Sequence, residues 1–331
     1  MTRDSSVLCG CNSTERFGAG VAAGQANGYA RLMNRFLSAA LVALALTACG
    51  GTQAKAPAPS PAAAHPALWK VVDHDTTIYL FGTIHLLPKG LHWTTPAMAR
   101  AMASSQLLYL EVALDKDPAK LGAVMAKLNN TPGLPPLLDR VPPAKRAALK
   151  KVIDASKIPL AYLDAQETWA AALAISSASM AKLNLSYEDG AETQLTEIFA
   201  KAGKTVKGLE TAEQQLGYFH TLPEAAQRTF LASVADDDDA KSTKEFARMI
   251  AAWKAGDVRR IALTFDDEMK LSPVLADVLL HKRNANWAAW VGERMKMPGT
   301  VFVAVGAGHL AGKGSVEELV ANRGFKVIRV Q

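Results

Sequence analysis

The chain has 331 residues, of which 49% are hydrophobic, and a formal net charge of +6. This length suffices for one large domain, or for one domain that carries an inserted helical part. Lysines and arginines lie scattered among acidic residues and form no basic run with interleaved aromatic residues, which argues against nucleic acid as a partner. All three cysteines fall before residue 50, so the rest of the chain has neither disulfides nor thiolate metal ligands.

The N-terminal part has the form of a targeting signal. Residues 33–48 combine a short basic start with an apolar run that is too short to span a bilayer. The segment ends in Leu46-Thr47-Ala48-Cys49, which fits a bacterial lipoprotein cleavage site. We therefore expect residues 1–32 to be an upstream extension and Cys49 to become the lipidated first residue. An uncleaved hydrophobic anchor is the alternative.

Residues 49–66 are rich in alanine and proline and predict an extended tether, since this composition cannot bury a core. The tether would hold a folded domain over residues 67–331 away from a membrane. Gly50 stands where an aspartate would favour retention at the inner membrane. The expected location is therefore the cell envelope, facing the periplasm, with the outer membrane favoured over the inner.

Strands are predicted at both ends of the domain and helices between them. The domain opens with strands at 68–72 and 77–82, a helix at 95–104 and a strand at 107–112. The middle is helical and punctuated by prolines, apart from a short strand at 205–210. A strand at 300–305, a helix at 315–321 and a strand at 325–330 close the chain. The predicted fold class is α/β (α+β), with a central mixed sheet built from the N- and C-terminal strands and a large helical middle or cap.

Two apolar strands break at the same motif, Gly-x-x-His. The first is Gly82-Thr83-Ile84-His85 and the second is Gly306-Ala307-Gly308-His309. Glycine lets the chain turn just beyond the strand, and the histidine then lies at the strand end where ligands gather in α/β folds. A single such histidine would more often be structural. Two in matching contexts predict a shared site.

Four residues share one signature, a polar side chain at the end of or inside an apolar strand: His85, Glu111, Glu210 and His309. Two imidazoles and one or two carboxylates suit a divalent transition metal such as Mn, Co, Zn or Fe, with one carboxylate as general base. The same four could work without metal, with histidine as base and glutamate orienting it. Both interpretations stay open at this point.

Each acidic or basic candidate also has an ordinary interpretation. Glu111 is costly inside its apolar strand unless it is paired or metal-bound, so a buried ion pair with Arg283 is the alternative, as is a strand end that faces water. Glu210 could simply lie at a helix N-terminus, where the helix dipole and the free N–H groups favour an acidic side chain. Arg283 could clamp a carboxylate or an oxyanion, or form a surface salt bridge. Strand-end histidines are expected to add little packing, about 1 kcal/mol or less.

The motifs together resemble the TraB/PrgY/GumN family, which is related to the animal Tiki proteins and more distantly to erythromycin-esterase-like and ChaN-like proteins. The resemblance rests on segments that occur in the family's order. They are Phe81-Gly82-Thr83-Ile84-His85-Leu86, Leu110-Glu111, Gly208-Leu209-Glu210-Thr211, Arg283-Asn284 and Val305-Gly306-Ala307-Gly308-His309-Leu310.

The resemblance implies a function as well as a fold. Tiki proteins are regarded as divalent-metal-dependent proteases that use both Gly-x-x-His motifs and an acidic residue. On that model His85 and His309 are metal ligands and Glu111 is a ligand or base. The family usually has Gly-x-Asp before the Gly-Leu-Glu-Thr segment, whereas this chain has Gly190-Ala191-Glu192.

The sequence-based hypothesis is a lipid-anchored, periplasm-facing metallohydrolase that acts on peptide bonds in a peptide or envelope-derived substrate. Its predicted catalytic residues are Glu111, Glu210 and Arg283, and its predicted metal ligands are His85, His309 and Glu111. A non-catalytic protein that binds a peptide or envelope ligand is one alternative. A metal-free esterase is the other.

Overall fold

The computed structural model describes residues 64–115, 117–129, 131–180, 185–236, 239–270 and 272–331. The predicted signal segment and the lipidation site at Cys49 lie outside the described residues, as does the tether up to residue 63. Within the described residues, no helix has the length and apolar character needed to cross a bilayer.

A six-stranded mixed sheet forms the centre of the domain, with the strand order β6-β4-β7-β2-β1-β8. The four neighbours β6, β4, β7 and β2 are parallel, while β1 runs antiparallel to both β2 and β8. Two further short strands, β3 and β5, pair with each other. The strands are β1 (Leu68–Val72), β2 (Thr76–Thr83), β3 (Leu87–Pro88), β4 (Leu107–Val112), β5 (Leu185–Ser186), β6 (Thr205–Glu210), β7 (Gly299–Gly306) and β8 (Val327–Arg329).

The register of the parallel strands brings the candidate residues to one edge. Thr83 at the end of β2 pairs with Gly306 at the end of β7, so the two Gly-x-x-His motifs leave the sheet side by side. On the other side of β7, Val112 of β4 pairs with Glu210 of β6. Because the carboxyl ends of parallel strands share an edge, four separate parts of the sequence meet there.

Helices connect and cover these strands. The helix that the sequence predicts at 95–104 begins at Pro96, with the Thr95 hydroxyl accepting a hydrogen bond from the backbone N–H of Met98. The described helices are α1 (Pro96–Ser104), α2 (Pro118–Leu128), α3 (Pro143–Ser156), α4 (Leu160–Asp164), α5 (Thr168–Met180), α6 (Ala191–Lys201), α7 (Ala212–His220), α8 (Glu224–Val234), α9 (Asp239–Lys254), α10 (Val258–Lys270), α11 (Pro273–Ala276), α12 (Lys282–Arg294) and α13 (Val316–Asn322). Short 3-10 helices lie at Leu137–Arg140 and Ala307–Leu310, and a π-helical turn lies at Asp277–His281.

The sheet is buried on both faces, which explains why its central strands are almost continuously apolar. Leu80 and Val303 face a core formed with α12 and α13. Their neighbours in sequence, Phe81 and Phe302, point the other way, into a core formed with α1, α6, α9 and α10. On β4 the side chain of Tyr109 packs against the α12 core. Glu111 lies two residues further along β4, so its carboxylate points to the same face of the sheet, toward α12.

The predicted helical middle is confirmed, with one departure: strand β5 interrupts it to pair with β3. A separate apolar cluster joins α3, α5 and α8, and includes Leu149, Ile175 and Leu231. A smaller cluster joins α2, α5 and α7. Helix α7 is also continuous with the end of β6, so it connects this helical part to the edge of the sheet where the candidate residues lie.

Candidate functional site

Arg283 lies at the centre of the candidate site, on the first turn of α12, with only 5% of its surface exposed. Its Nε donates to both carboxylate oxygens of Glu210, at 3.2 and 3.1 Å, and its Nη2 donates to Oε2 of the same residue at 3.0 Å. The same Nη2 donates to Glu111 Oε2 at 2.6 Å. The π-helical turn before α12 supplies one more acceptor, the carbonyl of Leu279, at 3.2 Å from Nη1. One guanidinium thus holds two carboxylates from two neighbouring strands.

Both carboxylate oxygens of Glu111 have partners. Oε1 accepts from the backbone N–H of Gly306 at 2.7 Å, and Oε2 accepts from Gln215 Nε2 at 3.0 Å in addition to Arg283. Burial opposes ionisation of this side chain, but its pKa is lowered to about 2 by His309, which carries a proton below about pH 4, by the positive charge of Arg283 and by the Gly306 N–H. Glu111 is therefore a fixed anion at any ordinary pH.

The contacts of His309 fix its tautomer. Its Nε2 lies 3.2 Å from Arg283 Nη1, and a guanidinium can only donate, so Nε2 is an acceptor. The ring proton is therefore on Nδ1, which donates to Asn284 Oδ1 at 2.6 Å. Asn284 Nδ2 in turn donates to the carbonyl of Gly314 at 2.8 Å, which fixes the orientation of the amide. His309 is thus held as a neutral imidazole with its lone pair aimed at the centre of the site.

Burial is the main reason that the pKa of His309 falls to about 4; the positive charge of Arg283 lowers it further, and Glu111, 3.6 Å from Nε2, only partly opposes the shift. The ring also packs against Trp287, with ring centroids 4.5 Å apart. The sequence predicts a loop histidine that adds little packing. That prediction is wrong for His309, which sits in a buried 3-10 helix because the chain folds back onto α12.

His85 has the opposite surroundings. Its side chain is 62% exposed, and its Nδ1 lies 2.7 Å from Glu192 Oε1, at the start of α6. Burial would lower the pKa of His85, but the contact with the Glu192 carboxylate outweighs it and, with a contribution from Glu111, raises that pKa to about 9. Solvent around the exposed ring screens part of this coupling. The two motif histidines therefore favour different protonation states.

The segment Gly190-Ala191-Glu192 docks directly on the loop of His85. The backbone N–H of Ala191 donates to the carbonyl of Ile84 at 3.1 Å. A Cβ on Gly190 would lie 2.1 Å from the carbonyl oxygen of His85, so only glycine fits there. Glu192, which stands where the family usually has aspartate, is a residue whose role the sequence left open. The structure makes it the carboxylate partner of His85.

Helix α7 adds two side chains that sequence reasoning missed. Gln215 bonds Glu111, and the hydroxyl of Tyr218 lies 3.4 Å from Glu210 Oε1. The guanidinium of Arg283 lies over the Tyr218 ring at 5.8 Å and over the Trp287 ring at 4.6 Å. Neither Gln215 nor Tyr218 follows an apolar strand, so no local sequence pattern indicated a role for them. They become visible only once α7 is known to return over the sheet edge.

The structure decides several alternatives that the sequence left open. Glu111 forms the buried ion pair with Arg283, and the water-facing interpretation is wrong because Glu111 is 8% exposed. The surface salt bridge for Arg283 is wrong for the same reason. Glu210 ends strand β6, and the following Thr211, rather than Glu210, caps α7 through the N–H of Gln214 at 3.1 Å.

The three predicted metal ligands, His85, Glu111 and His309, do not bring their ligand atoms together in the structure. Within the described part of the chain, the only three ligand atoms that lie within 4.8 Å of one another belong to Asp73, His74 and Asp75, in an exposed turn. In the candidate site, Glu111 and Nε2 of His309 both bond the Arg283 guanidinium, and His85 pairs with Glu192 instead. The arrangement therefore does not fit a metal bound by His85, Glu111 and His309 together.

The site is a buried polar centre at the carboxyl edge of the parallel part of a mixed sheet that helices cover on both faces, which makes the domain an α/β protein. The chain belongs to the TraB/PrgY/gumN family, whose model matches residues 67–329. The five segments that carry the sequence resemblance all fall within that match.

Two relatives share most of the domain, and both are called uncharacterized protein YbaP. The protein from Escherichia coli strain K12 is 24% identical over 263 residues, which cover 77% of this chain and 92% of the relative. The protein from Shigella flexneri is 25% identical over 250 residues, which cover 73% of this chain and 87% of the relative. No solved structure matches the chain significantly.

Proposed function

We propose that this protein is a hydrolase of peptide or ester bonds that uses general acid–base chemistry at His309, Arg283 and His85. The observation that carries the proposal is the hydrogen-bonded series Asn284–His309–Arg283, which holds a neutral imidazole whose unprotonated nitrogen accepts from a buried cation. An oriented base beside a fixed positive group is the combination that acyl transfer to water requires.

His309 supplies the base. Its Nδ1–H is held by Asn284, so Nε2 is the atom that takes a proton, and the pKa of about 4 keeps that nitrogen unprotonated at neutral pH. A base with so low a pKa is weak in free solution, yet the adjacent Glu111 carboxylate at 3.6 Å stabilises the imidazolium once it forms. Glu111 itself, with a pKa of about 2, acts as a fixed anion rather than as the proton acceptor.

Arg283 supplies the positive charge. When a substrate carbonyl oxygen takes the Nη1 donor, Nε2 of His309 is released to accept a proton from water. The water oxygen bonds to the carbonyl carbon, and the C=O electron pair moves onto oxygen, where the guanidinium stabilises the oxyanion. Glu111 and Glu210 keep the guanidinium in place during this step through the contacts described above.

His85 completes the reaction as general acid. Glu192 holds its imidazole in the protonated form, with the pKa raised to about 9. As the oxyanion collapses and the bond to the leaving oxygen or nitrogen breaks, that atom takes the proton of His85. Two histidines whose pKa values are pushed in opposite directions are the pattern expected of an acid and a base in one site.

Space for a substrate lies beside Glu210. A cavity of about 360 Å³ opens at the carboxyl ends of β4 and β6, between Glu210 and the apolar side chains of Leu121 and Leu209. Leu114 in its wall is 64% exposed, which is unusual for a large apolar residue. Glu210 is the residue of the candidate site in this lining, which does not include His309, Arg283 or His85, so the cavity would hold a part of the substrate away from the bond that is cleaved.

The deciding experiment screens the purified full-length protein against peptide and ester libraries, with and without a chelator, beside the variants His309→Gln and His74→Gln. His74 lies in an exposed turn and serves as the matched control. Turnover that survives the chelator and is lost only in His309→Gln supports the proposal. Turnover that needs added Mn, Co, Zn or Fe favours the metal-dependent protease that the family resemblance implies. Ligand-dependent thermal stabilisation without any turnover favours the binding protein.

We further propose that the domain is tethered to the cell envelope through a lipid on Cys49 and faces the periplasm. The support is the sequence of residues 33–63, which lie outside the described residues. The predicted tether ends before residue 66, because Ala64 is buried in the core and His65 donates its backbone N–H to the carbonyl of Lys254. A lipid anchor and an extended tether would restrict the enzyme to peptide or envelope-derived substrates within reach of the membrane.

A further inference from the structure

We infer that Glu167 is a positioning residue, because its buried carboxylate ties the C-terminal ends of α2 and α7 together. These two helices form part of the wall of the cavity beside Glu210, through Lys120, Leu121, Val124, Ala212 and Gln214. Glu167 would thereby set the shape of the cavity without touching the substrate. The inference deepens the proposed function and depends on it only for the effect on turnover, since the link between the helices requires no substrate.

The carboxylate of Glu167 accepts hydrogen bonds from three different parts of the chain, and the residue is only 4% exposed. Its Oε1 accepts from the hydroxyl of Thr131 at 2.7 Å. Its Oε2 accepts from Nε1 of Trp169 at 2.7 Å and from Nδ1 of His220 at 3.0 Å. Burial opposes ionisation, but these hydrogen bonds lower the pKa of Glu167 below its ordinary value. An ionised carboxylate can only accept, so Nδ1 of His220 carries the proton.

Glu167 holds the C-terminal end of α2 through two contacts. Asn129, the C-cap of α2, accepts the backbone N–H of Glu167 on its Oδ1 at 2.6 Å. Thr131, two residues further on, donates to the carboxylate. Leu128 at this end of the helix is buried, whereas Leu121, toward the cavity, is 39% exposed. Helix α2 is therefore fixed at the end that lies away from the cavity.

The same side chain holds the C-terminal end of α7. His220 is the last residue of α7 and donates to Glu167. The ring of Trp169, which also bonds Glu167, stacks on Phe219 with ring centroids 6.1 Å apart. Helix α7 carries Gln215 into the candidate site. A shift of its C-terminal end would therefore move both the cavity wall and a residue of the site.

The ordinary interpretation is that Glu167 only favours the start of α5, which begins at the next residue. That interpretation does not explain why two of its donors come from the segment after α2 and from α7. The ion pair of Lys127 with Glu213 also joins these helices, but both side chains are exposed and solvent screens such pairs. Charge-assisted hydrogen bonds to a buried carboxylate are stronger, so Glu167 makes the firmer connection.

The test measures how firmly α2 is held against the site, by double electron–electron resonance between two spin labels. One label is placed on Ala123→Cys of α2 and the other on Ala285→Cys of α12, both at exposed positions. The full chain is used, with its three native cysteines, Cys9, Cys11 and Cys49, replaced by serine. A single narrow distribution of distances between the labels is expected for the protein that keeps Glu167.

Glu167→Ala should broaden this distribution. Glu167→Gln should keep it narrow, because the amide oxygen can accept from Trp169 and His220 while the amide nitrogen donates to the hydroxyl of Thr131. Gln227→Ala is the matched control, since Gln227 is 5% exposed and bonds the backbone N–H of Trp169, but bonds neither α2 nor α7. The control should also remain narrow.

If Glu167→Ala does not fold, Thr131→Ala and His220→Ala decide the question, because these side chains are partly exposed and each removes one of the two links. Each should broaden the distribution. The inference is overturned if folded Glu167→Ala stays narrow, if Glu167→Gln or Gln227→Ala broadens as much, or if both single-link variants stay narrow.

Turnover gives a second readout, with the substrate that the library screen selects. In Glu167→Ala, or in His220→Ala in its place, KM should rise about fivefold or more while kcat changes less than about twofold, because the cavity holds a part of the substrate away from the bond that is cleaved. Glu167→Gln should restore KM. A fall in kcat with KM unchanged would overturn the inference. If the screen finds no substrate, the proposed function fails while the distance measurement still decides the role of Glu167.

Discussion

Glu111 and Arg283 are joined at 2.6 Å in the interior of the protein, although one lies on strand β4 and the other on helix α12, far apart in sequence. The contact exists because the pleat of β4 turns Glu111 toward the face that α12 covers. Everything else in the site is arranged around this pair. It also makes the site sensitive to small changes of charge.

Replacing Glu111 by glutamine should leave a folded protein of lower stability and abolish most of the activity. Arg283 keeps Glu210 as a partner, so the loss should be roughly 1–3 kcal/mol rather than the larger cost of an unpaired buried charge. Chemical denaturation and turnover measure the two effects. Glu197→Gln, which breaks an exposed ion pair with Lys201, is the control and should change stability by less than about 0.5 kcal/mol.

Replacing Asn284 by aspartate should raise the pKa of His309, because a carboxylate would then face the Nδ1 proton at hydrogen-bond distance. In the native chain the pKa of about 4 lies below the 6.5 of an unfolded imidazole, so stability falls as the pH drops from 6.5 to 4. The variant should show a smaller loss over that interval. Imidazole NMR titration reads the pKa directly.

The control for this prediction is Ala285→Asp, which adds the same charge at an exposed position of the same helix. An unchanged His309 titration in Asn284→Asp, or an equal shift in Ala285→Asp, would contradict the hydrogen-bonded arrangement described for Asn284.

The rate of hydrolysis should be bell-shaped in pH. Activity should rise as His309 loses its proton near pH 4 and fall as His85 loses its proton near pH 9. Replacing Glu192 by glutamine removes the carboxylate that raises the pKa of His85, so the alkaline limb should move to lower pH while the acid limb stays. Profiles of kcat/KM for the two proteins check this, and an alkaline limb that does not move would show that His85 is not the acid.

Replacing Gly190 by alanine should destabilise the protein and disturb His85, because the new Cβ would lie 2.1 Å from a backbone carbonyl oxygen. We expect a loss of about 2 kcal/mol or more, together with reduced activity. Gly217→Ala is the matched comparison, since nothing lies within 4 Å of its Cβ position on α7. That change should instead stabilise by up to about 1 kcal/mol. Thermal unfolding of both variants is the measurement.

Cys49 should carry the lipid. Cells grown with a clickable fatty acid should label the native protein and recover it with membranes, and Cys49→Ser should lose the label. Native protein that is unlabelled and soluble would refute the lipoprotein prediction. It would leave the proposals about the folded domain unaffected, because their residues all lie beyond the tether.

The local sequence determined the elements and most of the candidates. Apolar runs predicted the strands and prolines marked the breaks between helices, because these patterns depend on residues close in the chain. The same logic marked His85, Glu111, Glu210 and His309, since a polar group at the end of an apolar strand is visible in sequence. It did not reveal that β7 inserts between β2 and β4, because strand order depends on contacts between distant segments.

Only the tertiary structure decided what each candidate does. Two histidines in the same Gly-x-x-His motif look equivalent in sequence, yet His309 is buried against Trp287 and Asn284 while His85 stands exposed beside Glu192. Their pKa values move in opposite directions because burial and neighbouring charge are set by the packing of remote helices. For the same reason, the cation at the centre of the site is Arg283, which folding brings to Glu111 and Glu210 from a helix distant in sequence.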